Sequence, residues 1–265
     1  MNCYPAGHLL GKGHVQLNES GENAELISQE QIGDDLNGWH RDAFEDIASR
    51  LTDPGFPCVF SRNAFRKKLV KFVFVEGSGK EDIRHLGAGL KDYVELSRDW
   101  DGALDTAYPL VVVFSADAVT ADSVEQYHAF GWWVLQELHA IDPTPWPEGV
   151  DKGPQSEAWS MCFHGMPLFI NMSSPAHQVR RSRNLGRHFA LVINPRERFD
   201  VFAGDTPSGR KVRSNIRGRI ARYDGTPHAQ QLGSYGTGAL EWMQYGLVEE
   251  NRERADVCPF TFRGA

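Results

Sequence analysis

The chain is 265 residues long, 41% hydrophobic and 11% aromatic, which is enough to fill one large core without requiring a second. Its formal net charge of −7 argues against a nucleic-acid binder, whose footprint is a basic balance. No run approaches the roughly 18 apolar residues of a membrane span, and no basic flank precedes an apolar stretch at the start, so a cytoplasmic protein without a membrane partner is expected.

Residues 1–36 are rich in Gly, Asn, Ser, Glu and Gln with weak periodicity, and are expected to form a loosely ordered lead-in to a single domain over 37–265. Phe44, Ile47, Ala48 and Leu51 then recur at helical spacing, and Asp53-Pro54-Gly55 ends the pattern. Leu69 to Val75 is β-branched and aromatic and predicts a strand. Helical spacing returns at Ile83, Leu86, Leu90, Tyr93 and Val94, and Leu110 to Phe114 has the wholly apolar character of a buried strand. Asp122 with Glu125 makes a capping box for a helix carrying Val124, Tyr127, Gly131, Leu135 and Leu138. Asp142 to Pro147 holds three prolines and predicts a rigid, non-helical turn.

Ala158 to Phe163 and Leu168 to Met172 pattern as a hairpin joined by His164-Gly165-Met166-Pro167, and His188 to Ile193 as a further strand. Thr206-Pro207 is a helix start with Pro at the first helical position, and Val212, Ile216, Ile220 and Tyr223 follow on one side. The last forty residues are Gly-rich and then acidic. Hairpin strands mixed with helices, without strict alternation, favour an α+β fold: a single domain with a mixed or antiparallel sheet flanked by helices.

Cys3, Cys58, Cys162 and Cys258 are widely spaced with no CxxC pair, which excludes a zinc ribbon, a thioredoxin-type pair and covalent c-type haem attachment. GxGxxG, GxxxxGK[ST], HExxH and GxSxG are all absent, so nucleotide, zinc-hydrolase and α/β-hydrolase readings lack a motif. Charge is strongly asymmetric. Between Gln178 and Arg222 twelve basic residues face only Glu197, Asp200 and Asp205, so this window is +9 and the remainder −16. A solvated helix face accounts for the stretch at 210–222. Arg180, Arg181 and Arg183 crowd beside a turn instead, where the alternative is an anion cradle.

Two stretches carry a family likeness. One is Phe56-Pro57-Cys58-Val59-Phe60. The other runs from Cys162-Phe163-His164-Gly165-Met166-Pro167 through Ser174-Pro175-Ala176-His177 and Arg181-Ser182-Arg183-Asn184 to Ile193-Asn194-Pro195-Arg196-Glu197-Arg198-Phe199-Asp200. Over about residues 50 to 260 the chain resembles the YqcI/YcgG family. That resemblance implies a haem-dependent mono-oxygenase hydroxylating a guanidine or amine nitrogen of an arginine-like amino acid. It would use non-covalent haem b, O2 and a separate electron donor. A non-catalytic haem sensor or store, and an interaction domain that has lost haem, are the alternatives.

Under this resemblance His177 is the first candidate for the iron ligand, with Cys58 and His164 as alternatives and His40 and Cys258 further back. Each has a structural role as its competitor, since a lone His or Cys is more often part of a core or a turn. Arg181, Arg183 and Arg196 are the candidates for haem propionates or a substrate carboxylate. A buried guanidinium substrate would also need an acid. Asp200 and Glu197 lie near in sequence, but both can equally pair with Arg196 or Arg198.

Overall fold

The computed structural model describes residues 26–32, 36, 38–233 and 238–263. Its sheet has six strands: β1 (Ile27–Ser28), β2 (Lys71–Val75), β3 (Leu110–Phe114), β4 (Met161–Phe163), β5 (Met166–Ser173) and β6 (Ala190–Pro195), in the spatial order β1-β2-β3-β6-β5-β4. Only β2 and β3 run parallel; the other neighbours are antiparallel. The helices are α1 (Gly38–Thr52), α2 (Val59–Arg66), α3 (Lys80–Ser97), α4 (Val124–Ile141), α5 (Glu197–Ala203), α6 (Pro207–Asp224) and α7 (Trp242–Tyr245). The fold is α+β, as the order of elements predicted, and no helix among the described residues is long and apolar enough to cross a membrane.

β2 and β3 are apolar on both sides because both sides are covered. Val73, Val75, Val112 and Phe114 pack under α3 and α4 with Leu86, Leu90, Trp132 and Leu135. Phe72, Phe74, Val111 and Val113 point the other way, under Ala43, Ile47 and Leu51 of α1 and Ala64 and Phe65 of α2. This alternation is the period of two that strands impose. The result is three layers, helix on sheet on helix.

Several expectations shift in register. The N-cap of α4 is Ser123, whose hydroxyl accepts from the Gln126 amide, rather than Asp122. The β4–β5 connection is only His164-Gly165, both with positive φ (49° and 73°), as a two-residue hairpin turn demands. Met166 and Pro167 belong to β5. Within the expected lead-in, Ile27–Ser28 pairs as an edge strand on β2, and the rest of that stretch up to residue 25 lies outside the described residues. Thr206 caps α6 with Pro207 following it, and Gly225 ends the helix in the left-handed region at φ 72°.

Candidate functional site

α1 and α2 cover the β2–β3 half of their face of the sheet, and the β5–β6 half lies under α5 and α6. Between them runs a cleft with a cavity of about 360 Å³, within the usual size range of small-molecule sites. Most of its wall is apolar: Leu51, Phe60, Val111, Leu185, Phe202 and Ile220 each contribute. Two strand positions break that pattern. Asn171 of β5 and Asn194 of β6 lie on the sheet face that lines the cleft, where a closed core would place apolar side chains.

Cys58 stands on the α2 wall. It is the N-cap of that helix, and its Sγ accepts from the Ser61 amide at 3.5 Å. The turn before it is held from across the cleft by Arg219 of α6, which donates to the carbonyls of Pro54 (3.1 Å), Phe56 (2.9 Å) and Pro57 (3.1 Å). Two prolines and this clamp fix the sulfur's backbone.

Arg183 lies on the same cleft, 7% exposed, and its Nη1 has no hydrogen-bond partner. Burial pulls its guanidinium down to about 10; Asp224 and Cys58 offset this in part, and Arg180 adds to it. Arg196 is also on the wall, bonded to Asp200 at 2.6 Å and 3.6 Å from Glu241. Arg198 pairs with Glu197 and stacks over Trp100 at 4.0 Å. Arg217 donates to the carbonyls of Leu232 and Gly233.

Most of the basic window is therefore spent on structure. Arg187 binds Asp46, Arg210 and Arg213 bind Asp205, and Arg219 binds carbonyls.

Glu241 is the buried acid of the cleft, 3% exposed. Its Oε1 accepts from the hydroxyls of Ser160 (2.6 Å) and Tyr245 (2.7 Å). Burial pushes its carboxyl up to about 7, against the pull of those two hydroxyls and of Arg196.

Of the residues singled out by sequence, the cleft brings together Cys58, Arg183, Arg196 and Asp200, the last paired with Arg196, whereas Glu197 is not among its lining residues. His177 is not among its lining residues. It is 2% exposed, and its Nδ1 is bonded to the Glu249 carboxylate, which also accepts from the amides of Gln178 (3.1 Å), Val179 (2.6 Å) and Arg180 (3.3 Å). Burial works to raise the Glu249 pKa, but the bonds from His177 and the amides outweigh it and leave the carboxyl below its ordinary value. His164 sits in the hairpin turn, bonded to Thr144 (2.9 Å) and Glu95 (2.8 Å). Arg181 is exposed and stacks on Tyr223 at 4.9 Å. His40 bonds Glu76, and Cys258 is a buried thiol pushed up to about 12 by burial.

Sequence reasoning missed Glu241, Asn171 and Asn194. Only the asparagines left a signal, as single polar residues inside otherwise apolar strands.

Comparison with known proteins agrees with the likeness carried by the Cys58 and His164–Asp200 stretches. The model of the YqcI/YcgG family matches residues 47–261. The chain is 35% identical over 240 residues to the uncharacterized protein YcgG of Bacillus subtilis (strain 168), covering 88% of this chain and 92% of that one. It is 32% identical over 237 residues to the uncharacterized protein YqcI of the same organism, covering 87% and 91%. No solved structure matches. The chain belongs to the YqcI/YcgG family.

Proposed function

We propose that the cleft holds non-covalent haem b beside a small substrate, and that the chain is a mono-oxygenase acting on a guanidine or amine nitrogen of an arginine-like amino acid. The observation that carries this reading is the Cys58 sulfur on the wall of a large apolar cleft, with the buried Arg183 guanidinium on the same cleft. Haem needs a soft or imidazole ligand, flat apolar walls and cations for its propionates. Cys58, the aromatic and aliphatic wall, and Arg183 fit those needs, whereas His177 and His164 are not on the cleft. Cys58 is therefore the ligand in this proposal.

When bound, haem supplies the oxygen chemistry: O2, two electrons and two protons yield one N-hydroxyl group and one water, the electrons coming from a separate donor protein. The chain's own residues set the stage for it. Phe60, Phe169 and Phe202 keep the cleft dry. Glu241 provides the buried carboxylate that a cationic nitrogen requires, and Asn171 and Asn194 offer hydrogen bonds to orient it. The three described cysteines carry free thiols, in keeping with a reducing cytoplasm.

The test is an absorption spectrum of the purified protein reconstituted with haem, in ferric, ferrous and ferrous-CO forms. The expected result is one haem per chain, with the red-shifted CO complex of thiolate ligation in the wild type and its loss in Cys58→Ser. No Soret band in the wild type refutes haem binding; an unchanged CO spectrum in Cys58→Ser refutes the ligand.

A further inference from the structure

Arg183, which lines the cleft, is one of four buried residues that each leave a nitrogen without a hydrogen bond, and the cleft chemistry above uses only that one of the four. Arg180 is fully buried. Its Nε donates to the Val248 carbonyl at 3.1 Å and its Nη1 to that of Pro227 at 2.9 Å, but its Nη2 has no partner. Arg183 Nη1, His177 Nε2 and His128 Nε2 are likewise buried and without a hydrogen bond. All four residues are at least nine-tenths buried.

They also lie close together. The rings of His128 and His177 have centroids 5.8 Å apart. Arg183 is within electrostatic reach of Arg180 and of both histidines. Buried polar groups are ordinarily hydrogen-bonded, so these four nitrogens without a protein partner point to an occupant.

The nearby carboxylates do not answer them. Asp224 is taken by the amide and hydroxyl of Ser182, at 2.7 and 2.9 Å. Glu249 is taken by His177 Nδ1 and three backbone amides. Two guanidiniums thus present unfilled N–H donors in a low-dielectric interior, and one of them, Arg183, lines the cleft. His177, with Nδ1 turned to an ionised carboxylate, leaves a lone pair on Nε2. The occupant must therefore offer acceptor oxygens and also a donor. A halide lacks the donor, whereas a carboxyl group brought in with a proton or a water has both.

We propose that Arg180, Arg183, His177 and His128 form a carboxylate-binding site, filled by an acidic arm of the cleft's ligand reaching in past Arg183. This rests on the cleft being the ligand site. The arm belongs either to the haem, as a propionate, or to the amino-acid substrate, as its α-carboxylate. In both cases His177 serves as part of an anion pocket.

Two matched pairs of probes separate these cases on the full chain: arginine against agmatine, which lacks the carboxylate, and haem against haem dimethyl ester. In one pair the acid is expected to bind roughly ten- to a hundredfold more tightly than its twin, the range for hydrogen bonds to a charged group. The pair that responds identifies the source. Arg183→Gln should erase that preference while leaving the affinity of the carboxylate-free twin in place, and Arg183→Lys should restore part of it. Equal affinities within both pairs in the wild-type protein, or no binding by any of the four probes, overturns the proposal. If only the haem reading is at fault, neither haem form binds while arginine still outperforms agmatine.

Discussion

Glu241→Gln isolates the electrostatics of the cleft from its shape. The amide keeps the volume and an oxygen to accept from Ser160 and Tyr245, and it removes the charge. In the native protein burial raises this carboxyl from 4.5 to about 7. A group with a raised folded pKa favours the native state below its unfolded value, and that contribution is lost as the pH climbs through the folded value. Between those limits the native state binds more protons than the unfolded one, so wild-type stability falls with rising pH on this account. At about 1.4 kcal/mol per unit, the full loss is about 3 kcal/mol. Roughly 2 kcal/mol of it falls between pH 5.5 and 8.

Urea unfolding of both proteins at those two pH values measures it directly. The stability difference, wild type minus Glu241→Gln, should shift toward the variant by about 2 kcal/mol at the higher pH, with equal m-values. Other titrations cancel in the difference. A pH-independent difference would refute the claim that Glu241 is buried at the cost of its charge.

Two further substitutions test the scaffold. Glu249→Gln weakens the bonds that hold the 177–180 loop; it should cost about 1–3 kcal/mol and speed hydrogen exchange at the Val179 and Arg180 amides, and unchanged protection there would refute the role given to this carboxylate. Its contribution is present above pH 4.5 and is lost as the pH falls through its lowered folded value, so the variant should lose least in acid. Gly246→Ala meets no backbone strain, at φ −117°, but its Cβ would sit 2.9 Å from His128 Cγ and Nδ1. It should destabilise the protein by about 1–3 kcal/mol, and a thermal midpoint equal to wild type would show that the His128 ring is not confined.

The parts of the fold legible in sequence are those where local pattern and burial agree. β2 and β3 show as short apolar runs because helices cover both faces, and α1, α3, α4 and α6 show through their spacing. α2 and α5 were missed because each has only about two turns. α2 is capped by a cysteine sulfur at 3.5 Å, a weak substitute for a hydroxyl, so neither length nor cap signalled it. Pro167 patterns as a turn residue because proline removes a strand donor; it is tolerated in β5, where its carbonyl accepts from the Arg196 amide.

The candidate site was legible only where a residue type is conspicuous. Cys58, Arg183 and Arg196 stand out by chemistry, and they do share the cleft. His177 stands out equally, yet a tight set of bonds to Glu249, 72 residues further along the chain, turns it away into the protein. Nothing in the local sequence around His177 encodes that partner. Glu241 is the converse, one acid in an acidic tail region, singled out only because α7, which also carries Tyr245, docks it against Ser160 beside β5. On the proposed reading, function turns on which polar groups the fold leaves unsatisfied beside the cleft. That property belongs to the three-layer packing as a whole: a window with nine excess positive charges resolves mostly into arginines that hold turns and carboxylates, and Arg180 and Arg183 are among those with a buried donor left over.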